Sequence, residues 1–237
     1  MDSYPDQVDN ILMTEQPEFL ILPVQQKIFA FTTGSTVAEF LEATPALAKL
    51  VRQRLHEIRL PAAIQDYFVS YPDTLNFALL VSEDAPETPI VLPLWIRIVQ
   101  LSSRFSLRIF RDTDSLTMLN QLVDEIDLQE DLGELELPIC LLFDEEWNYQ
   151  TQWGPHPQSA EPFLDRWFEQ HGEYEALAED EAPEAQRKFA LLINDLIYQM
   201  RVWYNSELDQ AAIQEIRALL AGLREEEERE GSSEEER

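Results

Sequence analysis

The sequence predicts an α/β fold: a mixed sheet with helices on both faces, extended by added helices at the N- and C-terminal ends. Three observations predict it. Three short apolar runs, at residues 76–82, 106–110 and 139–143, have the length and continuity of strands buried on both faces. Segments with apolar residues at helical spacing precede, separate and follow them. The last run opens at Pro138 and passes through Asp144-Glu145-Glu146 into an alternating segment, residues 147–153, which reads as a hairpin. That order of elements fits a sheet held between helical layers.

Each element has its own justification. Residues 1–34 mix Pro, Asp, Gln and Glu with a short apolar patch at Ile11 to Met13, and read as a loose N-terminal arm. Ser35 is the expected cap of the first helix, with Glu39 facing its positive end. Val37, Phe40, Leu41, Leu47, Leu50, Val51, Leu55 and Ile58 recur at helical spacing, interrupted at Thr44-Pro45, so two helices end before Pro61. A further helix, residues 62–69, stops at Pro72. After the first strand come the loop 83–89 and a helix over 90–104 with Pro93 inside it. A helix is expected over 114–126, between the second and third strands. Residues 159–170 form an amphipathic helix with Phe163, Leu164, Trp167 and Phe168 inward. Two strong helices, 184–204 and 208–223, close the folded part, so one domain spans residues 35–223. Residues 224–237 hold eight Glu and three Arg, and are expected to be an acidic disordered tail.

Charge excludes several functions. Lys and Arg number 17 against 46 Asp and Glu, giving a net charge of −29 over 237 residues. A field of that sign repels phosphate backbones and anionic lipid heads, so no nucleic-acid partner is expected. No run approaches the roughly 18 apolar residues that span a bilayer, so no membrane insertion is expected. The opening MDSYPDQVDN is acidic, unlike secretory or transit signals, and a cytoplasmic location is the expectation. One cysteine, Cys140, rules out an intrachain disulfide and a cysteine cage for zinc. His56, His156 and His171 are scattered with no ligand spacing and read as surface residues. Six glycines leave little room for a phosphate-binding loop. No cofactor and no metal are expected.

Several local motifs carry a resemblance. The first strand ends Val81-Ser82-Glu83-Asp84, and Pro93 sits inside Leu92-Pro93-Leu94-Trp95. The late strand opens Leu137-Pro138-Ile139-Cys140, and Trp153-Gly154-Pro155 closes the hairpin. In this order the chain resembles the thioredoxin-like family, in particular bacterial members with added helices at both ends, over roughly residues 35–221. The resemblance implies a cis proline at Pro138 and a groove beside it for extended peptides. Pro86, Leu137, Pro138 and Trp153 would line that protein-binding groove. The departure is in the redox loop. Ala85-Pro86-Glu87-Thr88-Pro89 contains no cysteine, and thiol–disulfide exchange needs a thiolate at a helix N-terminus. No catalytic residue is therefore assigned. Thr88 has a hydroxyl without an adjacent base. Glu83, Asp84 and Glu87 could pair for acid–base work or hold magnesium; their plainer reading is a solvated acidic turn at a helix N-terminus.

The functional expectation is a redox-inactive thioredoxin-like protein that binds another protein, as an adaptor or assembly factor, through a partner with a basic surface. Two alternatives stand beside it. One is a thiol-disulfide oxidoreductase or redox sensor using Cys140 alone; the other is a structural subunit of an oligomer, whose state the sequence leaves open. Cys140 lies in Ile-Cys-Leu-Leu-Phe, where a free cysteine behaves as a small buried hydrophobe. Thiol reagents are accordingly expected to label Cys140 only after denaturation; rapid labelling of the native chain would restore the sensor alternative.

Overall fold

A computed structural model of the chain describes residues 23–111 and 136–235. The helix expected over 114–126 and the patch at Ile11 to Met13 lie outside the described residues. Four strands form one mixed sheet: β1 (Leu75–Leu80), β2 (Phe105–Phe110), β3 (Ile139–Phe143) and β4 (Tyr149–Trp153). Their order across the sheet is β2-β1-β3-β4, with β1 and β2 parallel and the other two pairings antiparallel.

Alternation sorts the strands onto two cores. Phe77, Leu79, Phe105, Leu107, Ile109, Cys140, Leu142 and Trp153 face one core, where most of the described helices pack. Ala78, Leu80, Phe110, Ile139, Leu141 and Phe143 face the other. There Ala30 and Phe31 of α1 (Pro23–Thr32) meet them, so helical residues pack on both faces. The arm expected at residues 1–34 thus contains a ten-residue helix.

Helices α2 (Val37–Ala43), α3 (Pro45–Glu57), α4 (Ala62–Val69) and α5 (Thr88–Val99) follow the expected breaks at Pro45, Pro61 and Pro72. The first cap is corrected: Thr36, not Ser35, accepts from the Glu39 N–H while the Glu39 carboxylate accepts from the Thr36 N–H. Ser35 instead exchanges two backbone hydrogen bonds with Ile109, at 2.8 and 2.9 Å. The hairpin strand starts at Tyr149 rather than Trp147. Trp147 has φ 67° and closes the turn, and Asp144 Oδ1 accepts from the Asn148 N–H at 2.8 Å. Both Leu137–Pro138 and Gly154–Pro155 are cis. Gly154, at φ +134°, lies so close to β3 that a Cβ there would fall 2.3 Å from the Pro138 carbonyl oxygen.

After a 3-10 turn (Gln158–Ala160) come α6 (Glu161–Gln170) and the short α7 (Tyr174–Glu179), the latter inside the stretch expected as an acidic connection. On α6, Leu164 and Trp167 are buried, but Phe168 is 40% exposed, which corrects its inward assignment. The two terminal helices are one line: α8 (Pro183–Trp203), a π turn (Tyr204–Leu208) and α9 (Asp209–Glu235). The backbone stays helical to Glu235, beyond the helix end expected at Leu223.

The π turn has a geometric cause. Leu196, Met200, Tyr204, Leu208, Ala212, Ile216 and Leu220 are all buried, at a spacing of four. Each four-residue step overshoots a full α-helical turn by about 40°. The six steps from Leu196 to Leu220 would carry the stripe roughly 240° around the helix and out of the core. One wide turn absorbs an extra residue and returns the stripe by about 100°.

Charged side chains fix that turn to α3. Arg54, 1% exposed, donates to Asn205 at 2.8 Å and to Asp209. Glu57, one turn further on α3, accepts from Arg201 through both oxygens and from Asn205 at 3.1 Å. Removing one member of a buried ion pair strands its partner's charge. Arg54→Met is expected to lower unfolding free energy by about 3 kcal/mol in urea titrations. Adding Asp209→Leu should return a large part of that loss, whereas independent roles for the two residues would make their losses add.

Candidate functional site

The site forms where β1 hands over to α5. Thr88 is fully buried, and its hydroxyl donates to the Ser82 carbonyl at 2.7 Å. The Thr88 N–H donates to the Ala85 carbonyl at 3.1 Å, so the loop is folded tightly on itself. Thr88 is thereby a loop clamp with its proton committed. Glu87 follows from this winding: it is the N-cap of α5 in helical conformation, makes no side-chain capping bond to the following turn, and lines a cavity.

That cavity has a volume of about 470 Å³. Glu87 and Leu137 line it, with Pro155 and His156 from the turn after β4 and Glu161, Leu164, Asp165 and Phe168 from α6; Glu136 stands at its edge. Gly154 makes the close approach that brings Pro155 and His156 against the start of β3. Among the described residues the lining thus combines four carboxylates with apolar walls and contains no Lys or Arg.

Burial dominates the electrostatics of Glu87. Desolvation pushes its carboxyl up to about 7, its backbone N–H opposes that rise, and the Glu136 charge adds to it. At neutral pH Glu87 is therefore divided between acid and carboxylate. Burial lowers the His156 imidazole, against the pull of Glu136, Glu161 and Glu215, so the ring is neutral near pH 7. Its Nδ1 is buried without a hydrogen-bond partner. Tyr204, in the π turn, is 1% exposed, and its hydroxyl also lacks a partner. Burial raises that hydroxyl well above the phenol range, and Glu87 is the foremost of the charges that raise it further. Such a site can hold cations and hydrogen-bond donors and can exchange a proton through Glu87; the described lining offers no thiol nucleophile.

The residues singled out from sequence divide among different places. Leu137 is half-buried in the cavity wall, and Pro138 is buried behind it. Pro86 lies on another groove, of about 740 Å³, between α3 and α8. Trp153 is 7% exposed and faces the core, with its indole N–H donated to Glu215 at 3.1 Å. The structure therefore does not bring Pro86 or Trp153 into one groove with Leu137. Glu83, Asp84 and Glu87 do not converge either: Glu83 pairs with Arg111 at 2.7 Å and Asp84 is exposed. His156, read as a surface residue, is a half-buried wall of the cavity. Among the described residues no three His, Cys, Asp or Glu side chains gather as a metal site. Cys140 is fully buried, and desolvation raises its thiol well above the usual range. Sequence reasoning missed Glu136, Glu161, Asp165 and Tyr204, for which spacing along the chain carries no signal.

No protein-family model matches the chain, and no curated protein matches it. Two solved structures are similar to it. A protein of unknown function from Pseudomonas aeruginosa is 19% identical, with 72% of this chain and 94% of that one covered at a TM-score of 0.46. An HIV epitope scaffold is 18% identical, with 82% and 97% covered at a TM-score of 0.49.

Glu87 makes stability depend on pH. The folded chain keeps this proton to about pH 7, whereas an unperturbed glutamate releases it near 4.5. The folded state thus binds more protons between those values, and its stability falls as pH rises through the window. Glu87→Gln is expected to remove that slope. Allowing for solvent screening, the variant should gain about 2 kcal/mol on wild type between pH 5 and pH 8 in urea titrations. An equal difference at both pH values would show an ordinary carboxyl.

Proposed function

We propose that the chain is a thioredoxin-like, redox-silent module that binds another protein. One observation carries the reading. The loop entering α5, which in that family presents the reactive sulfur, here presents Glu87 to a carboxylate-lined cavity. The strand order, with one parallel and two antiparallel pairings, supports the family reading, as does the proline that opens β3. The sulfur the chain does have is placed elsewhere: Cys140 is paired in register with Leu79 and Trp153 and is sealed in the core. A thiolate there would be desolvated, which opposes the oxidoreductase alternative. The adaptor partner is expected to present a basic surface, because a charge of −29 attracts one and screening by salt weakens the attraction.

Tagged wild type and Cys140→Ser are expected to capture the same partner from native cells, with capture lost as salt rises. Neither should catalyse reduction of insulin disulfides. Disulfide turnover by wild type that Cys140→Ser abolishes would overturn the proposal in favour of the enzyme.

A further inference from the structure

We infer that the cavity beside Glu87 receives a lysine or arginine side chain from an extended basic segment of the partner protein. This rests on the protein-binding reading and names the contact it would use. The walls and rim match that side chain in two parts. Leu137 and Leu164 form an apolar wall, and Phe168 stands 40% exposed at the mouth with its ring supported edge-on by Trp167 and Tyr174. An aliphatic stem can lie along such a wall while its charged head reaches polar groups, and an aromatic face attracts a cation. Glu136, Glu161 and Asp165 supply the negative rim, and Glu87 lies further in.

A bare metal ion fits less well. Hard cations need several oxygens converging on one point, and among the described residues no such group exists. The acceptors that a donor-rich head such as guanidinium or ammonium would meet are the carboxylates of the lining.

Proton linkage gives the contact a signature. Among the described residues, the titratable groups around Glu87 are Glu136 before β3, His156 after β4, Glu161 and Asp165 on α6, Tyr174 on α7 and Tyr204 in the π turn. Burial lowers the His156 imidazole and raises both tyrosines, so all three favour their neutral forms near neutral pH. Glu87, raised to about 7, is the described carboxyl of the lining that changes state across that range. A bound cation favours its carboxylate form, so binding tightens as pH rises.

The probe is a fluorescent eight-residue peptide of alternating lysine and serine, compared with its glutamine-for-lysine counterpart, by anisotropy at physiological salt. Wild type is expected to bind the lysine peptide about tenfold more tightly at pH 8 than at pH 6, the ratio of ionised Glu87 fractions. Glu87→Gln should flatten that profile. Glu161→Gln with Asp165→Asn should weaken binding about tenfold, and the exposed Phe168→Ala about threefold. Glu179→Gln with Glu181→Gln removes the same charge from exposed positions outside the cavity and should change binding less than twofold. Equal losses in the two double variants would overturn the inference in favour of diffuse attraction. Free L-arginine competing as well as the peptide would overturn it in favour of a small amine. If the cavity variants lose nothing but still capture the cellular partner, this contact fails and the adaptor reading stands. A chain that binds the peptide as expected but captures no cellular protein reverses that outcome.

Discussion

The long C-terminal helix can serve this fold only if its every-fourth-residue stripe stays on the core, and the π turn at Tyr204–Leu208 meets that constraint. Much else depends on it. The turn sets Asn205 and Asp209 on Arg54 of α3 and sends Tyr204 into the core near Glu87. Further along, Glu215 accepts from the Trp153 indole at 3.1 Å and from the Gln158 N–H at 2.9 Å. Those two bonds anchor the end of the hairpin and the start of α6, which carry one side of the cavity. Without the extra residue, the helix could satisfy α3 or the hairpin, but its phase would be wrong for the other.

Two regions of this acidic chain handle their carboxylates differently. Carboxylates repel one another unless something neutralises or separates them. At the α3 interface Glu57 and Asp209 are matched with arginines. At the cavity the described lining offers no lysine or arginine, and Glu87, desolvated by burial and raised further by the Glu136 charge, shares its proton near pH 7. The two regions are thus opposite solutions to one electrostatic problem, one closed and one left open.

The first three strands were legible because each is a continuous apolar run, the fourth because it alternates after a turn, and α3, α4 and α5 because prolines stand at their starts. Cys140 in its apolar strand was legible as a buried residue for the same reason. The Thr36–Glu39 capping box was within reach, but Ser35 is an equally good cap by type, and only its pairing with Ile109 removes it from that role. The π turn was not legible, because residues 204–208 have ordinary helix-compatible composition and the wide turn answers packing by β4 and α3. The cavity was not legible for a related reason. Glu87, Glu136, His156 and Asp165 are dispersed along the chain, and the burial that distinguishes Glu87 from Glu83 comes from elements far along it. Pro86 left the groove expected for it because α8 adds a wall there, which makes a second groove on the other side of the loop.

The paired bonds between Ser35 and Ile109 bear on solubility. Among the described residues β2 is an outermost strand, and an uncovered outer strand is a template onto which a neighbouring molecule can add its own backbone. Ser35 pairs with Ile109, the next-to-last residue of β2, and the chain then turns away into α2. The opposite border, β4, is five residues long and carries Gln150, Thr151 and Gln152 at its centre. The bridge at one end of β2 and the shortness and polar centre of β4 thus each shorten the flat ribbon that a neighbouring copy could extend.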